Sequence, residues 1–106
     1  MFARTVYLHL KSKCVEEFTQ TIDEKIIPML RRQEGFQDEI AFIAPNGTEA
    51  VSITLWDRRE DAESYSRRGY GETLRALANV IEGSPQVQNH QVSNSTFHKI
   101  VRQAAA

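Results

Sequence analysis

Little in this sequence is abundant, and each shortage excludes something. Among 106 residues there is 1 cysteine, Cys14, so no internal disulfide can form and no cysteine-based zinc cluster can be built. Charge of one sign is missing too: 13 Lys and Arg stand against 14 Asp and Glu, a formal net charge of -1. Nucleic-acid binding draws on clustered cations and counterion release, and this chain offers no such footprint. Apolar runs last only a few residues, against the roughly 20 needed to span a bilayer. The opening MFARTVYLHLK lacks the basic region, apolar segment and small-residue cleavage site of a secretory leader. There is no low-complexity stretch, repeat or linker. What remains, 41% hydrophobic and 25% charged, suits one small domain. The expectation is a soluble, cytoplasmic protein without membrane or nucleic-acid partners. A single domain is expected over residues 1–103, followed by a weakly ordered tail at 104–106.

Hydrophobic periodicity is what the sequence does have. Phe2 to Leu10 alternates as a strand, with Val6, Leu8 and Leu10 on one face and Thr5, Tyr7 and His9 on the other. Ser12 is placed as an N-cap. Val15, Phe18, Ile22, Ile26, Met29 and Leu30 then recur at spacings of three and four, one apolar helical stripe. Pro28 predicts a kink, and Gly35 a left-handed helix end. Phe36 to Ala44 reads as a second strand with Phe36, Ile40 and Phe42 on a shared face. Pro45-Asn46-Gly47-Thr48 is a turn, and Ala50 to Trp56 completes an antiparallel hairpin.

Asp57 and Glu60 resemble a capping box for a second helix, which carries Ala62 and Tyr65 inward and breaks at Gly69-Tyr70-Gly71. A further helical piece presents Leu74, Leu77, Val80 and Ile81 to the core, and Gly83-Ser84-Pro85 stops it. The last strand is expected from Val87 to about Val101, long and polar. At about 15 residues it exceeds what a small sheet pairs within one subunit, which invites a second chain. The order β-α-β-β-α-β with right-handed crossovers gives an α+β, ferredoxin-like sandwich: an antiparallel sheet with the helices on one face. The bare face of that sheet calls for a homodimer.

Three motifs carry a family resemblance. Leu10-Lys11-Ser12-Lys13-Cys14-Val15-Glu16-Glu17-Phe18 resembles the "LKPGKxEEF" opening of the antibiotic biosynthesis monooxygenase-like group. Ile27-Pro28-Met29-Leu30-Arg31-Arg32-Gln33-Glu34-Gly35-Phe36 resembles its first helix end, and Leu55 to Tyr65 resembles its "WxSxEAxxxY" strand-to-helix junction, with Arg58 in place of Ser. The resemblance spans most of Phe2 to Val101 and implies a dimeric α+β barrel. Some relatives are oxygenases that use O2 without metal, flavin or other cofactor. Others degrade haem, isomerise small molecules, or have no assigned activity, so the fold alone does not decide.

Candidate site residues follow from that resemblance and from chemistry. Trp56 matches a pocket Trp of oxygenase-type relatives, and an indole can stack on a planar substrate; its structural alternative is an anchor between strand and helix. Ser52 shares its strand face and stands where such relatives can present an Asn amide. Arg75 matches a basic residue that some relatives carry on the second helix, where a guanidinium holds a substrate oxyanion; a solvated surface Arg is its alternative. Trp56, Ser52 and Arg75 are thus the catalytic candidates. Tyr65, Tyr70 and His9 are the substrate-binding candidates, His9 only if its strand face points to the helices.

Haem degradation is rejected. An axial histidine would be needed on the second helix, and no histidine lies between His9 and His90. No metal site is expected either: His90 and His98 on one strand would stand about 26 Å apart. Two functions from different classes remain. One is a small-molecule monooxygenase acting on a quinol, phenol or polyketide-like substrate. The other is a non-catalytic dimer that binds a small apolar ligand or serves in a stress response. A pocket of several hundred Å3 favours the first. A space filled by Phe18, Ile22, Leu74 and Leu77 favours the second.

Overall fold

In the computed structural model, residues 1–101 are described; the tail expected at 104–106 lies outside them. Four antiparallel strands, β1 (Phe2–Leu10), β2 (Phe36–Ile43), β3 (Glu49–Trp56) and β4 (Ile81–Gln91), form one sheet in the order β2-β3-β1-β4. Between β1 and β2 run α1 (Val15–Thr21), a π-helical turn (Ile22–Ile26) and α2 (Ile27–Leu30). Between β3 and β4 run α3 (Arg59–Arg68) and α4 (Tyr70–Leu77). This is the expected ferredoxin-like α+β sandwich. No helix among the described residues is long and apolar enough to cross a membrane.

Val6, Leu8 and Leu10 of β1 enter the core with Phe18, Ile22, Ile26 and Leu30 from the first helical layer. Trp56, Tyr65, Leu77 and Val80 close it from the other side. Tyr7 and His9 face outward on the bare side of the sheet, as alternation requires.

Pro28 acts one turn earlier than a simple kink. The N–H of Ile27 reaches back five residues to the carbonyl of Ile22, and Pro28 has no N–H to continue the ladder. The helix therefore widens into a π turn before α2 resumes, which is how a proline is absorbed without ending the layer.

Several local expectations need correction. The N-cap of α1 is Cys14, because Lys13 adopts a positive φ of 62° in the tight turn after β1; Ser12 lies two residues too early. The N-cap of α3 is Arg58 in an extended conformation. Asp57 instead accepts a 2.6 Å hydrogen bond from Gln37 Nε2. Phe36 does not share a face with Ile40 and Phe42. The β2–β3 register shifts between Phe36 and Asp38, so the extra residue turns Phe36 into the core and Ile40 and Phe42 out. Gly35 stands beyond the helix end, at the entry to β2, with φ 79° and its carbonyl accepting from Asp57 N–H.

The last strand is also different. It begins at Ile81, which therefore leaves the helix, and ends at Gln91. Gly83-Ser84-Pro85 is a bulge within this edge strand, where the register to β1 shifts between Tyr7 and His9 and Gly83 takes φ 68°. After Gln91 the polar chain leaves β4 and crosses to the opposite edge of the sheet. Val92 N–H bonds the carbonyl of Met1, the Ser95 hydroxyl accepts from Phe97 and His98 N–H, and His98 Nε2 meets the carboxylate of Asp38 on β2. The overlong strand is thus an ordinary edge strand plus a segment that crosses to β2.

Candidate functional site

A cavity lies between the sheet and the helices. Its polar wall is Arg4, Ser52, Thr54, Tyr65, Tyr70 and Thr73. Its apolar wall comes from Val6 and Leu8 of β1, Ile22 and Ile26 of the π turn, and Leu30, Leu74 and Leu77. The π turn thus builds part of the site, a common place for such turns. The cavity measures about 30 Å3, room for water-sized molecules and not for an aromatic ring.

Register explains why the polar groups converge. Arg4 pairs across β1 and β3 with Thr54, and Thr54 pairs across β3 and β2 with Glu39. Glu39, Thr54 and Arg4 therefore form one transverse row on the helix-facing side, and with strands about 4.8 Å apart the outer two backbones stand about 10 Å apart. Ser52, two residues along β3, donates a 3.0 Å hydrogen bond from its hydroxyl to Glu39 Oε2.

Burial raises the Glu39 carboxyl above the ordinary glutamate range, and the negative charge of Asp23 on the π turn adds to this; the Ser52 hydrogen bond opposes both. Burial likewise raises the Tyr65 phenol, against the hydrogen bond to Thr73 and the positive charge of Arg4. The Tyr65 hydroxyl and Thr73 Oγ1 are 2.6 Å apart.

Arg4 is the buried cation among the described residues, 4% exposed. Its guanidinium carbon sits 4.0 Å from the centre of the Tyr70 ring and 5.6 Å from that of Tyr65. No carboxylate of a described residue pairs with it, and no described residue accepts a hydrogen bond from its side chain. Cation–π contact supplies about 2 kcal/mol or more when desolvated, whereas burying an unpaired charge costs several kcal/mol. No side-chain nitrogen or oxygen of a described residue is both sealed from solvent and without a hydrogen bond, so the unpaired Arg4 guanidinium keeps some solvent access at the cavity it lines.

Trp56 belongs to the frame rather than to the cavity. It is fully buried and does not line the cavity. Its indole N–H donates 2.9 Å to Thr54 Oγ1, and that hydroxyl donates in turn to the carbonyl of Arg4 at 3.4 Å. Its ring stacks on Tyr65 at 5.2 Å and meets Phe36 edge-on at 5.5 Å. Tyr65 meets Tyr70 edge-on at 6.3 Å, so an unbroken aromatic run leads from Phe36 to the face of Tyr70 that carries Arg4.

The sequence candidates divide accordingly. Ser52, Tyr65 and Tyr70 line one cavity. Trp56 stands behind Tyr65 as the anchor that sequence offered as its alternative. Arg75 is exposed on α4 and outside the cavity, since Leu74 and Leu77 take the inward positions beside it. His9 is exposed on the opposite face of the sheet, away from the helices. Arg4, Glu39, Thr54 and Thr73 were not singled out. Arg4 had a signal: it is a charged residue with the same parity as Val6 and Leu8. Glu39 had none, because the bulge at Gln37 sets its face.

Among solved structures, three likenesses are informative. A protein of unknown function from Nitrosomonas europaea superposes with TM-score 0.74 at 11% identity, over 92% of this chain and 94% of the other. The monooxygenase ActVA-Orf6 of Streptomyces coelicolor, in complex with nanaomycin D, gives TM-score 0.73 at 14% identity, over 92% of each chain. SnoaB, a cofactor-independent oxygenase from Streptomyces nogalater, gives 0.72 at 12% identity, over 92% of this chain and 97% of the other. The chain has the antibiotic biosynthesis monooxygenase fold. No protein-family model matches the sequence, and no curated protein matches it. At this identity the likeness is one of architecture, and the chemistry of the site rests on the residues that line it.

Proposed function

We propose that this protein is a small-molecule monooxygenase-type enzyme that oxidises an electron-rich quinol, phenol or polyketide-like substrate with O2, without metal or flavin, in the cytoplasm. The observation that carries this reading is the row of Glu39, Thr54 and Arg4 across three strands, with Ser52 beside it. Such chemistry needs a proton acceptor and a cation for the resulting anion. Ser52 takes the substrate proton as its own passes to Glu39, and Arg4 holds the oxyanion. The electron-rich anion then reacts with O2: one oxygen atom becomes a new carbonyl, the other leaves as water, and the substrate supplies both electrons and both protons. The likeness to ActVA-Orf6 and SnoaB supports the reaction class.

Substrate entry requires the cavity to widen. By this reading α4 moves outward with Tyr70 and Leu74 on substrate entry, which requires the hydrogen bond between Tyr65 and Thr73 to break. The bare sheet face carries Tyr7, Ile40 and Phe42 at 41%, 50% and 51% exposed. It supports a homodimer in which two such faces cover one another.

Oxygen uptake against a panel of quinols and phenols tests the activity. The expected result is uptake matched by quinone formation, reduced at least about a hundredfold in Glu39→Gln. Uptake no faster than autoxidation across the panel defeats the enzyme reading. A second reading, a non-catalytic binder of a small ligand, is favoured by the cavity volume of about 30 Å3. It predicts ligand-induced stabilisation without oxygen consumption.

A further inference from the structure

We infer that Arg4 forms an anion subsite, and that the cavity takes a small ligand with a negatively charged oxygen on an apolar body. The inference shares its cavity with the proposed activity, but concerns binding and stands without turnover. Two buried charges among the described residues set the contrast. Asp61 is paired, its carboxylate 3.4 Å from Arg58. Arg4 is equally buried and has no ion pair or side-chain hydrogen bond to a described residue. Five N–H donors on a planar fork are matched best by a carboxylate or another oxyanion. The two tyrosine rings stabilise the charge by cation–π contact and take none of its donors in a hydrogen bond.

The rest of the cavity describes the ligand's other end. Ile22, Ile26, Leu30 and Leu77 are apolar and can pair with no second charge. The polar groups near Arg4 are hydroxyls, from Tyr65, Thr73, Ser52 and Thr54. This lining offers no partner for a second charge, and a monoanion with a compact apolar body matches it once the cavity widens from its volume of about 30 Å3. Arg4 also borders a second hollow of about 110 Å3 with Arg59, Glu63 and Asn89, where Arg59 and Glu63 already pair with each other at 2.9 Å.

Titration of the whole protein with benzoate against benzamide, and with 4-nitrophenolate against nitrobenzene, tests the site and separates its two oxyanion sources. The readout is the Arg Nε–H resonances in NMR, with Arg4 assigned by its loss in Arg4→Lys. At least one anion is expected to shift that resonance and to bind at least about tenfold more tightly than its neutral twin. Arg4→Met should lose at least about tenfold of that affinity while keeping its circular dichroism, and Arg59→Gln should lose none. Equal binding of anion and neutral twin, no anion binding in either arm, or loss in Arg59→Gln overturns the assignment. If Arg4→Met does not fold, the twin comparison on the parent protein decides alone. Anion binding without oxygen uptake sinks the proposed activity and leaves the subsite. No preference for anions, with oxygen uptake that Glu39→Gln abolishes, sinks the subsite and the part of Arg4 in the proposed step while leaving the activity.

Discussion

Replacing Trp56 with Phe separates an anchor from a catalytic group. The indole is fully buried, hydrogen-bonded to Thr54, stacked on Tyr65 and edge-on to Phe36. Phe keeps one ring and loses the rest. The lost N–H bond costs about 1 kcal/mol, since Thr54 Oγ1 keeps only its bond to the Arg4 carbonyl. Weakened ring contacts cost about 0.5–1 kcal/mol. A void of about 40 Å3 adds about 1 kcal/mol at the usual cost per Å3 of residual cavity. The total, about 2.5–3 kcal/mol, corresponds to a fall in Tm of about 10–20 °C for a domain of this size. Because this is the sole tryptophan, unfolding should be followed by far-UV circular dichroism rather than fluorescence. Activity per folded molecule at low temperature should fall no more than a few-fold. A variant as stable as the parent but inactive refutes this reasoning and returns Trp56 to the substrate.

Three further perturbations test other parts of the structure. Gly35→Ala places a Cβ 2.0 Å from Asp61 Oδ2 at a φ of 79°, and should destabilise by about 2–4 kcal/mol in urea denaturation. A glutamate whose folded-state pKa is raised binds its proton more tightly folded than unfolded, so its stabilising contribution is present below the ordinary value of 4.5 and is lost as pH rises. Glu39→Gln should therefore gain stability relative to the parent above that pH and show no gain below it, measured as urea midpoints across a pH series. Phe42→Glu puts a charge on the bare sheet face and should yield a monomer in sedimentation, while leaving the fold unchanged by circular dichroism.

The architecture was legible because it depends on periodicity, and periodicity survives local irregularity. Val6, Leu8 and Leu10 needed only alternation to be placed, and the Phe18–Ile22–Ile26–Leu30 stripe kept its face through the π turn. What failed were features set by a single inserted residue. The bulge beside Gln37 reverses every later side chain of β2, which hid Glu39 and misplaced Ile40 and Phe42. The Gly83-Ser84-Pro85 bulge has the composition of a helix stop, and only pairing to β1 reveals it as strand.

The site was half legible for a related reason. Carrying over a helix-borne cation led to Arg75, but α4 turns Leu74 and Leu77 inward and leaves Arg75 to solvent. The cation that reaches the cavity comes from β1 instead. An arginine there interrupts an apolar strand face, and burial of its charge opposes folding unless something offsets it. Tyr70 and Tyr65 offset part, and no carboxylate of a described residue offsets the rest. The guanidinium keeps some solvent access, an anion in the inferred subsite would supply the remaining offset, and a charge on β1 differs usefully from one on a helix. The strand is central in the sheet, paired on both sides, so a group held by Arg4 is positioned by the sheet rather than by a helix.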